Sequence, residues 1–593
     1  MPGQRYTRVI TAVISLLALL TACGDGRSAQ VSPSVSPDNL TAVVPTSTAS
    51  PTAVPPTPET GGTVIVALPR EPETLAFMLT ATPEARWILS ATDVPMITVQ
   101  PDATYRPTLL VDVPTYENGL ISPDGLTYTV RFEADQRWSD GEPIDARDLR
   151  FTWRAITDSN LPNLASETWW AIEDIIVSAD NRSATIRLRE PRAAFVDDVL
   201  AGTPGDGGGL LLPAHVFESS TPARAAADAY RAREHVGNGP FMAVNWVPGE
   251  QLVVEPNPNY TGVLPKLNRI VFRFIPDPEE ALAFLSTGEV DIAVGLPEVA
   301  QTAADTIADS SIMTSPMPGA TVSLAFNLDD PTDLDRPHPI LGDPTVRRAI
   351  AYAFDRRAVV RDILKDSVPL AATPLDGTRW AEPPLDPVPF DPDEAARLLD
   401  AAGWVMQPSG VRERDGLRLS LRYTTSGDKD LASAARRRIQ QAMIRDLAHV
   451  GIEVISDNVP AEEVDSRLRV RRFDIADVWA AEPGNLDTLV RHFASTAIPR
   501  SAGDTGENIM GYRNAIVDEL LERQASERQP EARARMAREI LEQVAADLPT
   551  LPVYGRVGVA VARSYVMGIT AGPYGGVDWR VSEWWLYRDV TAP

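Results

Sequence analysis

The chain has 593 residues, of which 44% are hydrophobic and 23% charged, and its formal net charge at pH 7 is −26. This length exceeds one typical domain and predicts two to four folded units with enough apolar residues for a buried core. The acidic balance argues against nucleic acid as a partner, because nucleic-acid binding requires basic stripes that displace counterions, and it argues equally against broad attraction to anionic lipid.

The first 23 residues have the parts of a secretory signal. Arg5 and Arg8 precede an uncharged stretch over residues 9–20, which is too short to span a bilayer as a helix. The sequence Leu-Thr-Ala-Cys follows and ends at Cys23, the only cysteine of the chain. It resembles the bacterial lipobox, so we expect a signal peptide over 1–22 and lipidation of Cys23. An ordinary secretory signal or a buried structural cysteine is the alternative.

Residues 23–60 are predicted to form a lipid-anchored tether. Positions 24–60 contain 7 Pro and 12 Ser or Thr but no aromatic residue. Such a composition buries too little apolar surface to offset the entropy of ordering, so we expect disorder. A flexible coil of this length reaches on the order of 35 Å, enough to hold a folded body clear of a membrane.

Regular structure is predicted from Gly61 onwards, with strands and helices that alternate in the second half. β-rich apolar or alternating segments predict strands over 63–68, 127–132, 184–189, 270–275, 418–423 and 452–455. Asp343-Pro344 and Asp391-Pro392 each provide an N-cap followed by Pro at the first helical position. Further helices are predicted over 431–450, ending at Gly451, and over 531–546. A helix, a glycine and then a strand indicate an α/β layer.

Catalytic signatures are missing from the sequence. The five His residues form no closely spaced metal set, and there is no Gly-x-Ser-x-Gly elbow. The glycine-rich segment 205–209 lacks the Gly-Lys-Ser/Thr of a phosphate loop. We therefore expect a non-enzyme with no catalytic residue, no bound metal and no cofactor. A tethered surface hydrolase, such as a glycosidase that uses a carboxylate pair, is the alternative.

Several stretches, in one order over residues 61–590, resemble the extracytoplasmic solute-binding proteins of oligopeptide-, dipeptide- and nickel-type ABC transporters (family 5). The segment Trp-Ser-Asp-Gly-Glu-Pro at 138–143 is similar to the signature hairpin of that family, and Gly-Asn-Gly-Pro-Phe at 237–241 is similar to its Gly-Thr-Gly-Pro-Tyr. The other matching stretches are 61–67, 124–130, 144–149, 257–260, 288–292, 326–327, 346–356 and 391–404.

Most of these motif residues have structural roles on physical grounds. Asp140-Gly141 suits a tight turn that needs a positive φ, and Asp145 suits the N-cap of the following helix. Trp138 and Trp404 are expected in the core. The three tryptophans Trp579, Trp584 and Trp585 are expected to pack against the sheet, and stacking on a ligand is the alternative.

The resemblance also implies ligand contacts. In peptide-binding members a Trp-x-x-Asp segment holds the amino terminus of the peptide, and here Trp479 and Glu482 match its Trp and its acidic residue. Glu replaces Asp, which lengthens the side chain by one methylene and could shift or abolish the contact with the amine. A solvent-facing Glu482 is the alternative interpretation. Asn327 follows a predicted strand over 322–326 and is a further candidate at the cleft.

The implied fold is a two-lobed α/β clamshell, like periplasmic binding proteins, with an extra inserted α+β domain. By the resemblance, lobe 1 combines 61–105, 233–315 and 549–593, the inserted domain covers 106–232, and lobe 2 covers 316–548. The two lobes are expected to be joined by a hinge and to close on a solute.

The implied function is that of a solute-binding receptor of an ABC importer, lipid-anchored outside the cytoplasm. The expected partners are a peptide or similar small solute, the permease and ATPase complex, and the membrane through the N-terminal lipid; the protein is expected to be a monomer that binds no nucleic acid. A ligand-sensing lipoprotein that feeds a signalling receptor is one alternative. Binding of an oligosaccharide or a nickel complex is another.

Overall fold

The computed structural model describes residues 60–79, 82–100, 104–159, 167–201, 209–217, 235–479, 486–501, 503–504, 506–527, 529–570 and 580–587, and all of them belong to one unit of the chain. Five predicted features therefore lie outside the described residues: the signal peptide, Cys23, the tether up to residue 59, Glu482 and Trp579. For Trp479 the structure describes the backbone only.

Strands and helices follow one another along the chain as the sequence pattern requires. The strands are β1 Thr63–Leu68, β2 Ile97–Val99, β3 Tyr105–Pro107, β4 Thr127–Arg131, β5 Ile172–Val177, β6 Ser183–Leu188, β7 Phe241–Val247, β8 Gln251–Pro256, β9 Arg269–Phe274, β10 Ile292–Leu296, β11 Ser310–Phe326, β12 Asp329–Asp330, β13 Asp333–Pro337, β14 Val405–Met406, β15 Arg412–Arg414, β16 Leu417–Arg418, β17 Ser420–Ser426, β18 Glu453–Val459, β19 Ile475–Trp479, β20 Thr550–Arg563, β21 Val566–Met567 and β22 Trp585–Leu586. The α-helices are α1 Pro83–Thr92, α2 Ala146–Ile156, α3 Ala214–Phe217, α4 Pro278–Thr287, α5 Gln301–Ala304, α6 Pro344–Ala353, α7 Arg356–Ala358, α8 Pro392–Ala401, α9 Leu431–His449, α10 Ala461–Arg469, α11 Asp487–Phe493, α12 Ala515–Ser526 and α13 Pro530–Asp547.

Ten strands form one mixed sheet in the order β18-β17-β19-β11-β20-β10-β1-β9-β8-β7. Strand β1 is parallel to β9 and β10, and β17 is parallel to β18 and β19. The long strands β11 and β20 are antiparallel to each other and lie in the middle of the order. We call β7, β8, β9, β1 and β10 the first half of the sheet, and β17, β18 and β19 the second half. The mixed sheet with helices confirms the predicted α/β fold class.

Helices cover the sheet because their N-termini are capped and one face of each is apolar. The side chain of Asp343 accepts a hydrogen bond from the Thr345 backbone at 2.9 Å, and that of Asp391 accepts one from the Glu394 backbone at 3.0 Å. Both predicted N-caps are confirmed. Trp404, which follows α8, is fully buried in the core that also contains residues of α6 and α9.

A separate three-stranded sheet, in the order β4-β6-β5, lies within the predicted inserted domain. Helix α2 begins at a capping box, in which Asp145 and Asp148 bond to each other's backbone. Trp138 is fully buried, and Gly141 has a φ of +96°, as the predicted turn requires. The boundaries of the inserted domain and of the two lobes stay predictions.

One predicted strand is divided between two sheets. The sequence pattern predicts a single strand over 418–423, whereas β16 ends at Arg418 and β17 starts at Ser420 and continues to Ser426. Strand β16 pairs with the β14–β15 hairpin, and β17 pairs with β18 and β19. Local alternation of apolar and polar residues does not reveal which sheet a residue joins.

Candidate functional site

Strands β11 and β20 join the two halves of the sheet. Pro316 pairs with Val557, and the next pair is Thr321 with Gly555, so the ladder is interrupted between them. On one side of this interruption β10 pairs with β20, and on the other side β19 pairs with β11. We call this interruption the crossover. The two halves of the sheet meet here, joined by the pairing of β11 with β20 and by one hydrophobic core that contains residues of both halves.

The carboxyl ends of β17, β18 and β19 point towards the crossover. These parallel strands end at Ser426, Val459 and Trp479, and Trp479 pairs with Val322 directly beside the interruption. In open α/β sheets, ligands bind outside the carboxyl ends of parallel strands. Trp479, predicted from the resemblance as a ligand contact, thus has its backbone at the edge where a ligand is expected.

Buried polar side chains collect at this carboxyl edge. Asp477 on β19 is 6% exposed and lies two residues before the strand end, and Tyr423 on β17 is fully buried and pairs with Ile475, further from that edge. Among the described residues, the Tyr423 hydroxyl has no hydrogen-bond partner, and Oδ1 of Asp477 has none of good geometry, although the Thr425 hydroxyl is close enough to lower the pKa of Asp477. Arg436 on α9 approaches the carboxylate, with 3.5 Å between its Nε and Oδ2 of Asp477. Buried polar groups are normally hydrogen-bonded, so each unpartnered oxygen here costs stability, as do the unpartnered indole nitrogens of Trp404 and Trp584 elsewhere in the described core.

Burial sets the ionisation of these groups. It raises the pKa of Asp477 because a charged carboxylate is poorly solvated there, while the Thr425 hydroxyl and the Arg436 charge act in the opposite direction. Burial also raises the pKa of Tyr423, and the nearby Asp477 carboxylate adds to that effect. A carboxyl group held this way binds protons more readily than one in water.

A charged pair from the first half of the sheet reaches the same region. Glu298 lies directly after β10, and its Oε1 accepts a hydrogen bond of 2.9 Å from Nε of Arg556 on β20. Burial raises the pKa of Tyr554, and the Glu298 carboxylate and then Asp477 add to the increase. Charges from both halves therefore interact across the crossover, which makes this region electrostatically sensitive to the relative position of the two halves.

Asn327 lies at the opposite end of the β11–β19 ladder. Phe326 pairs with Ile475 at this end, and Val322 pairs with Trp479 at the other, a separation of roughly 13 Å along the strands. The Asn327 amide is fully buried and donates to the carbonyls of Arg471 and Phe473 at 3.0 and 2.9 Å. The structure does not bring Asn327 and Trp479 together. A ligand role for Asn327 stays a prediction.

The remaining sequence candidates are placed as follows. Trp584 and Trp585 are 1% and 7% exposed, and Trp585 pairs with Met567 of β21, so both pack as expected. Trp579 and Glu482 lie outside the described residues. In the part of the chain that the structure describes, His, Cys, Asp and Glu side chains form no group of three or more that could hold a metal ion.

Sequence reasoning missed Asp477, Tyr423 and the Glu298–Arg556 pair. For Asp477 the sequence did contain a signal. Asp477 is two positions from both Ile475 and Trp479, so an acidic residue shares a strand face with two apolar ones. For the pair no local signal exists, because the two residues are 258 positions apart.

No helix among the described residues is long and apolar enough to cross a bilayer.

Comparisons with known proteins agree with the fold. The model of the bacterial extracellular solute-binding proteins, family 5 Middle, matches residues 114–499. Protein XP55 of Streptomyces lividans is 28% identical over 449 residues, which are 75% of this chain and 75% of XP55.

Three solved structures share the fold. NikA of Brucella suis, in complex with Fe(III)-EDTA, has a TM-score of 0.76 at 24% identity and covers 89% of this chain and 100% of its own. The ABC transporter substrate binding protein CtaP of Listeria monocytogenes has a TM-score of 0.73 at 20% identity, with 89% and 100% covered. The oligopeptide-binding protein AppA of Bacillus subtilis, in complex with a nonapeptide, has a TM-score of 0.69 at 19% identity, with 90% and 100% covered.

The family match extends over more than half of the chain and contains the second half of the sheet up to β19. The expected family, the fold class and the role of a solute-binding receptor are thereby confirmed. The chain belongs to the bacterial extracellular solute-binding proteins of family 5.

Proposed function

We propose that this chain is the membrane-tethered receptor of an ABC importer, and that it captures peptides between two lobes and delivers them to a permease. Proteins of family 5 are extracytoplasmic transport receptors rather than enzymes. ATP hydrolysis is the task of the partner subunits. The proposal concerns the solute class, the closing motion, the transporter and the anchor.

One observation carries the proposal: buried, incompletely hydrogen-bonded polar groups lie where two halves of the sheet meet. Asp477 lies near the carboxyl edge with Tyr423 behind it on β17, Glu298 approaches from the first half, and Arg556 lies on β20. The lobes move about the crossover and enclose the solute beside this edge. Residues Thr550–Gly555 of β20 pair with Thr321–Ala325 of β11, and for this reason we propose a lobe boundary near Gly555 in place of residue 549.

Peptides are the leading solute class. A peptide backbone offers many hydrogen-bonding groups that do not depend on side chains, and AppA holds a nonapeptide in a similar fold. Trp479 packs on the solute, and the Glu482 carboxylate holds its ammonium group. In a closed cleft such a charge-assisted hydrogen bond is strong.

Substitution of Glu482 tests the amine contact. Glu482→Gln removes the charge and keeps the shape, so the dissociation constant for a bound peptide rises about 30- to 1000-fold, the cost of breaking a buried charge pair. Glu462→Gln, an exposed glutamate on α10, is the matched control and leaves the constant unchanged. Equal affinities for both variants would overturn the role of Glu482.

A metal chelate is the second candidate solute. NikA, with the highest TM-score of the three structures above, holds Fe(III)-EDTA. Titration calorimetry against peptide pools, Fe(III)-EDTA and oligosaccharides separates the classes. Saturable binding of peptides supports the proposal; tight binding of the chelate or of an oligosaccharide, with no peptide bound, contradicts it.

The anchor is the last part of the proposal. Lipidated Cys23 and the tether 24–60 keep a monomeric receptor close to its permease. A single acyl chain binds a membrane only marginally, so full lipoprotein processing is implied. Cys23→Ser then yields a protein that fractionates away from membranes and still binds its solute. If that variant stays membrane-bound, the anchor is elsewhere.

A further inference from the structure

An ion pair connects two distant parts of the chain beside the crossover. Nη2 of Arg379 lies 3.5 Å from Oδ2 of Asp197, 182 residues earlier. Asp197 belongs to the π-helical segment Val196–Leu200 of the predicted inserted domain, and Arg379 opens the 3-10 turn Arg379–Ala381 of predicted lobe 2. The pair therefore lies across the proposed boundary between moving parts.

Arg379 is held in position by its own part of the molecule. Its guanidinium stacks on the ring of Trp380, with 4.3 Å between Cζ and the ring centroid. Trp380 is 5% exposed, and Oγ1 of Thr378 accepts a hydrogen bond from its backbone at 3.3 Å. The preceding segment abuts the crossover, since the Gly319 backbone donates to the carbonyl of Asp376 at 3.0 Å. Stacking of this kind fixes a guanidinium before it meets a carboxylate.

Asp197 is held in the same way from the other side. The Tyr105 hydroxyl on β3 donates a short hydrogen bond to its Oδ1. Burial and the Asp197 carboxylate both raise the pKa of Tyr105, so the hydroxyl keeps its proton as a donor. Tyr105 and Asp197 lie on the same side of the pair. If the lobes separate, the Tyr105–Asp197 hydrogen bond and the Arg379–Trp380 stacking can persist, while Arg379 loses its contacts with both Asp197 and the Tyr105 hydroxyl.

Pre-positioning and exposure together determine the strength of the contact. Most surface ion pairs contribute little because two flexible side chains must be ordered, and here both are ordered already. The side chains of Arg379 and Asp197 are still 46% and 37% exposed, so salt screens their attraction. The contact is strong enough to bias a closing equilibrium and weak enough to release.

We infer that Arg379 and Asp197 form an interlobe latch that favours the closed receptor. The inference rests on the proposed lobe closure. The latch acts on affinity through the open–closed balance, because any solute that binds the closed form more tightly gains from a larger closed population. Both residues act by positioning the lobes and need not contact the solute.

A distance measurement between spin labels tests the latch. In a Cys23→Ser background, Arg154→Cys on α2 and Glu522→Cys on α12 provide exposed label sites on either side of the pair. Asp197→Asn should lower the ratio of closed to open receptor two- to five-fold, as expected for an exposed pair of up to about 1 kcal/mol. The control is Asp112→Asn, which removes an equally exposed pair with Arg131 inside the inserted domain and should leave the distances unchanged.

Salt supplies a second measurement. Raising NaCl from 50 to 500 mM should lower the closed fraction of the unsubstituted protein and leave that of Asp197→Asn unchanged. A closed fraction in Asp197→Asn equal to that of the control, with the same salt dependence, overturns the latch. If a pool of di- to nonapeptides changes the label distance and Asp197→Asn does not, the latch is refuted but the proposed closure is not. If neither changes the distance, the proposed closure is refuted as well.

Discussion

Buried polar side chains lie towards both ends of the β11–β19 ladder, but they differ in the number of hydrogen bonds that they make. At the Asn327 end, the buried amide makes two hydrogen bonds to carbonyls and accepts a third from the Asp329 backbone at 3.2 Å. On β19 and β17, Asp477 and Tyr423 are also buried, yet Oδ1 of Asp477 and the Tyr423 hydroxyl find no such partner in the described part of the chain, and Oδ2 of Asp477 has only Arg436 at 3.5 Å.

This difference in hydrogen bonding distinguishes residues that hold the fold together from residues that could bind a solute. A completely bonded polar network fixes one arrangement of the backbone, and its loss costs stability. Incompletely bonded buried groups cost stability as they stand, and such violations are expected at functional positions. Burial and polarity alone do not distinguish Asn327 from Tyr423 and Asp477. The hydrogen bonds that each side chain makes do distinguish them.

The largest expected effect is at the Asn327 end. Asn327→Ala leaves two buried carbonyls and one backbone N–H without partners, so the free energy of unfolding should fall by about 2–4 kcal/mol. Chemical denaturation measures this, with the exposed Asn245→Ala as control and an expected change within about 0.5 kcal/mol. A loss below 1 kcal/mol would show that the network is not structural.

A second expectation concerns two aspartates three residues apart, which should respond to pH in opposite directions. Burial alone would raise the pKa of Asp474, but hydrogen bonds from His338 and the Arg422 backbone lower it overall from 3.8. Its stabilisation is therefore complete above about 3.8 and is lost as pH falls through the lowered pKa.

For Asp477 the pKa is raised from 3.8, so its contribution is most favourable below that value and declines as pH rises towards the folded-state pKa. Denaturation of Asp474→Asn and Asp477→Asn across pH 2.5–7.5 compares them. We compare the free energy of unfolding of the unsubstituted protein with that of each Asn variant. As pH rises, this difference should increase for Asp474→Asn and decrease for Asp477→Asn. If these differences changed with pH in the same direction for both variants, the distinction between Asp474 and Asp477 would be wrong.

The smallest expected effect is at Tyr423. Tyr423→Phe deletes a buried hydroxyl without a partner among the described residues, so the free energy of unfolding should stay constant or rise by up to about 1 kcal/mol. Tyr512→Phe is the matched comparison, because its hydroxyl donates to Asp547 at 2.7 Å and its removal should cost about 1–2 kcal/mol. Equal losses in both variants would mean that Tyr423 is hydrogen-bonded in solution.

Local chemistry explains which features could be predicted from the sequence. The caps at Asp343 and Asp391, the turn at Gly141 and the burial of Trp138 each depend on a few adjacent residues. The seventeen-residue strand β11 was predicted only over 322–326, because Pro316, Pro318 and Gly319 interrupt its pattern at the crossover.

Long-range juxtaposition explains what could not be predicted. Whether Asn327 faces a cleft or closes a network depends on Arg471 and Phe473, which are more than 140 residues away in the sequence. The latch likewise joins residues 182 positions apart. The resemblance to family 5 supplied the architecture, but it identified neither the hydrogen bonds of Asn327 nor the Arg379–Asp197 pair.

The central claim is that the solute lies at the carboxyl edge beside Trp479. A crystal structure of the protein with solute retained from expression tests it most directly. The account predicts solute density in contact with Trp479 and between the two halves of the sheet. Solute density beside Asn327 or on an outer helical face, with the space at Trp479 filled by protein side chains, would contradict it.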